Sequence, residues 1–334
     1  MCFWKRRRAG DTQRGVSHER QEEVLRWIRS LTGAAGASWA GEVQSLWAGY
    51  GAIARVRLRA AAAPSVVVKV VAPPPEPSAA DARFAHRRKL RSYQVEVEWY
   101  RRWAACAGPD LRLPAYVGHR QDGDHLLLAL EDLDAAGFPG RRRHLSRGEL
   151  HACLGWLARF HARFLGEVPE GLWQTGGYWH LATRPAELAA TSDAALREAA
   201  PAIDARLAAA RHRTLAHGDP KAANFCFGAG GRVAAVDFQY VGGGCGVRDV
   251  ACFLSYRGAR ESVMRGHIDV YFDALRVALA ARGVDPAPVE AEWRALYPFA
   301  WADYHRFLAG WAPTHWKLTV GYGRSLVKQA LRAL

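Results

Sequence analysis

The sequence has no uninterrupted apolar run that approaches the roughly 18–20 residues needed to cross a bilayer. No apolar segment follows the basic stretch Lys5–Arg8, so a secretory signal is not expected. The six cysteines form no CxxC pair and no regular framework, which indicates a reduced chain. No tight cluster combines histidine with cysteine, so a zinc site is not expected either. These absences predict a cytoplasmic protein without a membrane span.

Acidic residues are scarce relative to basic ones, with 32 Asp and Glu against 46 Lys and Arg and a net charge of +14. Such a surplus is compatible with nucleic acid, a membrane surface or an anionic ligand. The arginines are spread along the chain, and no known nucleic-acid motif accompanies them. We therefore expect solvated basic faces, compatible with a polyanionic ligand such as ATP, and no nucleic-acid partner.

The remaining composition is that of a globular protein, because half of the 334 residues are hydrophobic and 23% are charged. This length allows two lobes, each with its own core. We found no internal repeat. In the first part of the chain the patterns predict a helix over 17–31, and then elements in the order β-β-β-α-β-β. The predicted strands cover 42–48, 52–59, 65–71, 112–119 and 124–130, and the predicted helix between them covers 81–105.

After residue 133 the pattern becomes mainly helical. The sequence Ser146-Arg147-Gly148-Glu149 is a capping box that opens a helix. Further helices are predicted over 186–211, 262–282 and most of 286–332. The predicted division is a basic segment and helix over 1–41, a β-rich lobe over 42–132, and a mainly helical lobe over 133–334.

The strongest chemical signal is the run His217-Gly218-Asp219-Pro220-Lys221-Ala222-Ala223-Asn224, followed by Asp237-Phe238-Gln239. This combination suits phosphoryl transfer, in which a carboxylate orients the attacking hydroxyl while an amide oxygen and a second carboxylate hold Mg²⁺. The run Arg232–Val236 is a plausible strand that would deliver Asp237 beside Asn224.

These two motifs resemble those of the aminoglycoside phosphotransferase and choline kinase superfamily, which is related to the protein kinases. HGDxxxxN stands where protein kinases have HRDxxxxN, and DFQ stands where they have DFG. The resemblance covers roughly residues 42–320. Together with the segments 86–100 and 131–133, DFQ is most similar to the ecdysteroid-kinase-like branch.

The resemblance implies an α+β, bilobal protein-kinase-like fold, with a small antiparallel β-sheet N-lobe and a mainly helical C-lobe. It implies that the N-lobe over 42–132 is ATP-binding and that the C-lobe over 133–334 is catalytic and substrate-binding. It implies that Asp219 is the catalytic aspartate and that Asn224 and Asp237 bind Mg²⁺. Lys221 lies two residues after Asp219 and is expected to touch the transferred phosphate, as a lysine there does in many protein kinases. His217 is expected to brace the loop.

Lys69 lies within the β-branched run 65–71, and a charge in a buried strand is costly unless it is paired. Glu96 on the following helix is its natural partner, although Glu98 could compete. This pair resembles the kinase lysine and glutamate that grip the ATP phosphates. Gly49 and Gly51 lie where a phosphate-covering loop belongs, but a hairpin turn has the same composition.

The segment 129–133, which contains Glu131 and Leu133, is expected to be the hinge that offers backbone groups to adenine. Asp249 either braces the catalytic loop or caps a helix. The arginine of HRD is replaced by Gly218, the segment after Asp237 is short and rich in glycine, and no APE motif follows. Control by a phosphorylated activation loop is therefore not expected, and a protein substrate is less plausible than a small molecule.

The acceptor is expected to be a hydroxylated small molecule bound by helices after residue 255. That region contains seven acidic and eleven Lys or Arg residues, which disfavours polycationic aminoglycosides and leaves a hydrophobic or sterol-like alcohol or a choline-like amino alcohol open. Its aromatic residues can form a core or a cation-binding pocket. A nucleotide-binding pseudokinase is the alternative, and the sequence does not indicate an oligomeric state. The aromatic residues concerned are Trp293, Tyr297, Trp301, Tyr304, Trp311 and Trp316.

Overall fold

A computed structural model of the chain describes residues 15–255 and 260–334. These residues divide into two compact units. The first unit contains the described residues up to Ser78 together with Ala115–Ala136, and the second contains Ala79–Pro114 and the described residues from Gly137 onward. The basic run over 5–8 lies outside the described residues. The functional division at 41/42 and 132/133 stays a prediction.

The first unit is a five-stranded sheet with one helix. Its strands are all antiparallel to their neighbours and follow the order β1-β2-β3-β5-β4, so β3 is central. The elements are α1 (His18–Thr32), β1 (Gly36–Ser45), β2 (Gly51–Arg59), β3 (Ser65–Val71), β4 (Tyr116–Asp122) and β5 (His125–Glu131).

The helix α1 forms where the sequence predicts it because both of its ends are capped. Ser17 accepts a hydrogen bond from the backbone N–H of Arg20, and Gly33 ends the helix in the left-handed region at φ 67°. Val24 and Ile28 are fully buried and pack with Val66, Val68 and Val70 of β3 and with other sheet residues. Side chains alternate between the faces of a strand, so Lys69 belongs to the opposite face of β3.

Two predicted strand boundaries are wrong. The strand β1 starts at Gly36 rather than at residue 42, and it contains irregularities between Trp39 and Gly41 and between Glu42 and Gln44. These bulges interrupt the alternation of apolar and polar residues on which the prediction relied. The strand β4 starts at Tyr116 rather than at residue 112. Pro114 lacks the N–H group that a strand position requires, and it precedes this start.

The second unit is mainly helical and also contains two short antiparallel strand pairs, β6 with β9 and β7 with β8. Its helices are α2 (Ala80–Glu98), α3 (Arg147–Arg163), α4 (Pro185–Ala189), α5 (Ala194–Ala208), α6 (Val247–Leu254), α7 (Glu261–Ala280), α8 (Pro286–Trp311) and α9 (Gly321–Arg332). Its strands are β6 (Thr214–Ala216), β7 (Phe225–Phe227), β8 (Val233–Ala235) and β9 (Gly242–Gly244).

Helix boundaries in the second unit follow local capping chemistry. The capping box of Ser146 and Glu149 is present at the start of α3, as predicted. The single helix predicted over 186–211 is wrong, because Asp193 caps a new helix by accepting a hydrogen bond from the backbone N–H of Leu196. The helix predicted over 81–105 also ends early. Regular α2 stops at Glu98 and continues as a π-helical turn over Trp99–Trp103.

Stacked aromatic rings connect the end of α2 to the core of the second unit. Trp99 lies parallel to Phe238 with ring centroids 4.6 Å apart, and Trp156 stacks on Phe160 at 5.1 Å. Aromatic pairs of this kind contribute about 0.5–1.5 kcal/mol beyond the burial of their area. Phe238, the central residue of DFQ, is therefore part of the core, and its packing fixes the positions of Asp237 and Gln239 on either side of it.

The predicted fold class is confirmed. A small antiparallel sheet forms most of the first unit, and helices form most of the second. Among the described residues, no helix is long and apolar enough to cross a membrane. The five cysteines within this part of the chain are all free, and four of them are buried.

Candidate active site

The loop between β6 and β7 carries the HGD motif, and its backbone conformation requires glycine at its second position. Gly218 adopts φ 83°, a region that other residues rarely enter. A Cβ atom at this position would lie 2.0 Å from the carbonyl oxygen of Tyr240. The arginine that protein kinases carry here therefore cannot fit this backbone.

His217 braces this loop through both ring nitrogens. Its Nδ1 accepts the backbone N–H of Asp219 at 3.2 Å, so the ring proton is on Nε2, which lies 3.2 Å from the carbonyl oxygen of Val236. Burial lowers the pKa of His217, which keeps the ring neutral and preserves this arrangement. The bracing role suggested by the sequence thus has a structural basis.

Asp249, in the first turn of α6, holds the same loop from the other side. Its carboxylate accepts the backbone N–H groups of His217 at 2.6 Å and of Gly218 at 3.0 Å. It also lies 3.0 Å from Nε2 of His161. Although burial opposes the effect, the hydrogen bond and charge of His161 lower the pKa of Asp249. Of the two roles open to Asp249, bracing the loop is the one that these contacts favour.

The carboxylate of Asp219 is buried and only partly bonded. Its Oδ2 accepts from Nζ of Lys221 at 2.5 Å and from Nδ2 of Asn224 at 3.1 Å. Its Oδ1 is buried and has no hydrogen-bond partner among the described residues. Burial raises the pKa of Asp219, the ammonium group of Lys221 opposes this, and the like charge of Asp237 adds to it. The unbonded oxygen is suited to accept a hydrogen bond from a ligand.

A short hairpin brings the second motif beside Asn224. The strands β7 and β8 pair with each other, and the backbone N–H of Val236 donates to the carbonyl oxygen of Asn224 at 3.0 Å. The next residue, Asp237, has a positive φ of 70°. A non-glycine residue in this conformation costs about 1–3 kcal/mol, and such strain is concentrated at functional sites.

The side chains of Asn224 and Asp237 fit a divalent cation. Nδ2 of Asn224 donates to the backbone oxygen of Asp219 at 2.8 Å, so the oxygen of the amide is the end left to bind a metal. An amide and a carboxylate are hard oxygen ligands, which Mg²⁺ prefers, and Mg²⁺ commonly completes its shell with water and phosphate oxygens. The described residues contain no group of three or more His, Cys, Asp and Glu side chains suited to a metal. A two-ligand magnesium site is compatible with that finding.

The contacts of Gln239, the third residue of DFQ, were not predicted from the sequence. Nε2 of Gln239 donates to Oδ1 of Asp237 at 2.7 Å, and its Oε1 accepts from Nζ of Lys89 at 2.8 Å. Lys89 lies 150 positions away in the sequence, on α2. The letters DFQ could have drawn attention to Gln239, but no local pattern indicates Lys89.

Glu96 and Lys69 belong to different units, so their predicted ion pair stays a prediction. Lys69 is buried in the central strand β3, beside Ile53 of β2 and Leu128 of β5. Glu96 is buried near the end of α2. Glu98, the alternative partner, forms ion pairs with Arg101 and Arg102 in the π-helical turn that follows it. The choice between Glu96 and Glu98 as the partner of Lys69 stays a prediction.

The predicted phosphate loop and hinge both lie in the first unit. Gly49 and Gly51 lie in the turn between β1 and β2, and both have positive φ. A Cβ atom at Gly51 would lie 2.0 Å from the carbonyl oxygen of Val70, so the turn itself requires this glycine. Leu133 is buried, and the backbone N–H of Glu131 donates to the carbonyl oxygen of Ala115. The binding roles of these four predicted residues stay predictions.

Most of the aromatic residues predicted near the acceptor form a core. Trp293, Tyr297, Trp301 and Tyr304 of α8 are at most 5% exposed, which favours the core over a pocket. Trp311 and Trp316 are each 48% exposed. The other four aromatic residues therefore stabilise the helices.

Lys317, which follows α8 in the chain, was not singled out from the sequence. It is 2% exposed, and its Nζ donates to the hydroxyl oxygens of Ser255 and Tyr304, both at 3.1 Å. It is close enough to interact electrostatically with Asp219 and Lys221. No sequence pattern around Lys317 indicates that it is buried.

The sequence profile of the phosphotransferase enzyme family (APH) matches residues 46–305. No curated protein sequence gives a significant match.

Similar solved structures include several small-molecule kinases. Amicoumacin kinase hAmiN, in complex with AMP-PNP, Ca²⁺ and Ami, is 14% identical over 93% of this chain and 92% of its own, with a TM-score of 0.57. A thermostable mutant of aminoglycoside phosphotransferase APH(4)-Ia with ADP and hygromycin B is 15% identical over 93% and 98%, with a TM-score of 0.53. Choline kinase LicA from Streptococcus pneumoniae is 14% identical over 95% and 100%, with a TM-score of 0.51. At these low identities the structural similarity establishes the fold and nothing further.

Proposed function

This chain belongs to the phosphotransferase enzyme family, and from that premise we propose that it is an ATP- and Mg²⁺-dependent kinase that phosphorylates a hydroxyl group of a small molecule. The observation that carries the proposal is the loop and hairpin of the second unit, which bring together Asp219, Asn224 and Asp237. Oδ1 of Asp219 is buried without a hydrogen-bond partner among the described residues. A donor from a bound acceptor would satisfy it.

Each of these side chains has a definite chemical role in the proposed reaction. The hydroxyl oxygen of the acceptor bonds to the γ-phosphorus of ATP as the bond from that phosphorus to the ADP oxygen breaks. Asp219 orients the hydroxyl and receives its proton, and a carboxylate whose pKa is raised by burial is better suited to this than an ordinary aspartate. Lys221, bonded to Asp219, is placed to neutralise charge on the transferred phosphoryl group.

The residues proposed for the metal and nucleotide follow the family pattern. Asn224 and Asp237 would hold Mg²⁺, which when bound neutralises charge on the ATP phosphates. Lys69 and Glu96 would grip those phosphates, and the turn of Gly49 and Gly51 would cover them. Adenine would lie against the backbone at Glu131 and Leu133. The complex of amicoumacin kinase with AMP-PNP and Ca²⁺ supports a nucleotide and a divalent cation in a chain of this fold.

The charges near Asp219 bear on the class of acceptor. Lys317 is buried and interacts electrostatically with Asp219 and Lys221, so a polycationic acceptor would meet the ammonium group of Lys221 and, below about pH 7, that of Lys317 as well. This disfavours an aminoglycoside and favours an uncharged hydroxylated compound, including a hydrophobic or sterol-like alcohol. A choline-like acceptor is less favoured, because the aromatic faces of α8 are mostly buried in the core. Two further predictions fit this proposal. Membership of the ecdysteroid-kinase-like branch fits a hydrophobic alcohol acceptor, and a cytoplasmic location fits an ATP-dependent reaction.

The test is a screen of ADP release from ATP across sterol-like alcohols, amino alcohols, sugars and aminoglycosides, with and without Mg²⁺. We expect at least one alcohol to give Mg²⁺-dependent ADP release and a phosphorylated product of matching mass. A nucleotide-binding pseudokinase would bind ATP without turnover with any acceptor. Binding of ATP without detectable turnover across the whole screen would therefore contradict the proposal.

A further inference from the structure

The third residue of the DFQ motif connects the proposed metal ligand to α2. Gln239 is 5% exposed, and its side-chain amide bonds at both ends. Nε2 donates to Oδ1 of Asp237 at 2.7 Å, while Oε1 accepts from Nζ of Lys89 at 2.8 Å. The hydroxyl of Ser92, also on α2, lies 3.1 Å from the same Oε1. One amide therefore spans the gap between a helix and a carboxylate.

The direction of this amide is set by the chemistry of Lys89. An ammonium group can only donate hydrogen bonds, so it requires the oxygen end of the amide. The nitrogen end then faces Asp237, whose carboxylate can only accept while it is ionised. Ser92 is a weaker determinant, because its single hydroxyl proton is shared with the backbone oxygen of Lys89 at 2.7 Å. The two hydrogen bonds therefore run in one fixed direction, from Lys89 to Gln239 and from Gln239 to Asp237.

The position of Lys89 is itself constrained. Its Nζ lies 4.7 Å from the centroid of the Tyr93 ring, one turn further along α2, and Tyr93 is buried. The same helix carries Glu96, and the residue after its regular end, Trp99, stacks on Phe238. The helix and the DFQ motif are therefore connected by an apolar contact through Phe238 and by a polar contact through Gln239.

We propose that Gln239 is a positioning residue that holds the carboxylate of Asp237 in the orientation for metal binding and makes that orientation depend on Lys89 of α2. The inference rests on the proposed function, in which Asp237 is a metal ligand. The hydrogen bond matters because it fixes the side-chain torsion angles of Asp237, which the strained backbone at φ 70° does not fix by itself. Groups bonded to metal ligands in this way commonly change metal affinity by about 10–100-fold when they are removed.

The first experiment measures Mn²⁺ binding by electron paramagnetic resonance, on the full chain with saturating AMP-PNP. We expect Gln239→Leu to weaken Mn²⁺ binding by about 10-fold or more. Binding of AMP-PNP without metal, measured by calorimetry, should change little. The matched control is Gln94→Leu, on an exposed position of α2, which should bind Mn²⁺ like the wild type. Equal Mn²⁺ affinity in Gln239→Leu and the wild type would overturn the inference.

The second experiment tests the dependence on α2 and does not require a change in the core. Lys89 is only half-buried, so Lys89→Met should fold even if Gln239→Leu does not. We expect Lys89→Met to weaken Mn²⁺ binding in the same direction, and the double variant to bind no more weakly than Gln239→Leu alone. If the losses of Mn²⁺ affinity in the two single variants add up in the double variant, or if Lys89→Met binds Mn²⁺ like the wild type, the dependence of Asp237 on Lys89 is contradicted.

The two proposals fail in different ways in these measurements. If the wild type with AMP-PNP binds no Mn²⁺, the metal role of Asp237 fails, and the role of Gln239 fails with it. If the wild type binds Mn²⁺ and the Gln239 and Lys89 variants bind it equally well, the kinase proposal stands and the positioning role is wrong.

Discussion

The carboxylate of Asp249 accepts the backbone N–H of His217 at 2.6 Å, which ties the start of the loop that carries the HGD motif to the first turn of α6. Because the same carboxylate also accepts the backbone N–H of Gly218, one buried side chain satisfies two consecutive donors. Both donors would otherwise be buried without partners, which costs about 1–3 kcal/mol for each group. The conformation of the HGD loop thus depends on a residue outside the motif itself.

We therefore expect Asp249→Asn to destabilise the protein by about 2–4 kcal/mol, because an amide has only one oxygen to accept these hydrogen bonds. Urea unfolding would measure the free energy of unfolding. The control is Asp269→Asn on α7, whose carboxylate is exposed and pairs with Arg294 at the surface. It should unfold like the wild type. Equal stability in the two variants would contradict the bracing role of Asp249.

Asp237→Asn should abolish Mg²⁺-dependent ATP turnover and leave the fold intact. The substitution keeps the size of the side chain but removes the negative charge that a divalent cation requires. Asp237 is only half-buried, so the melting temperature should change little. ADP release and thermal unfolding, measured on the same preparation, check both expectations. Unchanged turnover in folded protein would remove Asp237 from the proposed metal site.

Lys69→Ala should weaken ATP binding far more than acceptor binding. The lysine is buried in the central strand of the sheet, where its charge is costly without an anionic partner. The separate Michaelis constants for ATP and acceptor give the comparison, and Lys328→Ala on the exposed face of α9 is the control. A change confined to the Michaelis constant of the acceptor would mean that the first unit has been assigned the wrong ligand.

The burial of Lys317, which interacts electrostatically with Asp219, predicts a dependence of stability on pH. Burial lowers the pKa of Lys317 from 10.5 to about 7. Between these values the unfolded chain binds a proton that the folded chain does not, so this residue makes the folded state more stable as pH rises. Below pH 7 both states are protonated, and the cost of burying the charge is fully present.

Lys317→Met should therefore raise the free energy of unfolding, relative to the wild type, more at pH 6 than at pH 9. The lost hydrogen bonds to Ser255 and Tyr304 subtract a similar amount at both pH values. Denaturant unfolding at the two pH values measures the difference, with Lys328→Met as the exposed control. A difference between variant and wild type that stays constant from pH 6 to pH 9 would show that Lys317 has an ordinary pKa.

The parts of the structure that local chemistry determines could be predicted from the sequence. The strand β3 covers Ser65–Val71, as its β-branched run predicts, and Ser146 and Glu149 form the predicted capping box. Asp219, Asn224 and Asp237 were identifiable because their spacing along the chain reflects one loop and one hairpin. These features depend on neighbours within about twenty residues, which a sequence pattern records directly.

Features that depend on distant parts of the chain could not be predicted in the same way. The hydrogen bond between Lys89 and Gln239 joins residues 150 positions apart, and the contact between Lys317 and Ser255 joins residues 62 apart. Sequence patterns indicate neither contact, because a lysine is usually exposed and its partner lies far away in the chain. The bulges of β1 and the cap at Asp193 are local, but they interrupt the periodic patterns by which strands and helices are recognised.

The central claim is that Asp219 orients and deprotonates the acceptor hydroxyl, and its most direct test compares Asp219→Asn with the wild type in two measurements. Calorimetry should show that both proteins bind ATP with similar affinity, because the substitution keeps the size of the side chain and Asp219 is not among the residues proposed to bind the nucleotide. ADP release with the best acceptor from the screen should fall by about 10²–10⁴-fold in the variant, the usual contribution of a positioned acid or base. Equal rates of ADP release in the two folded proteins would contradict the account.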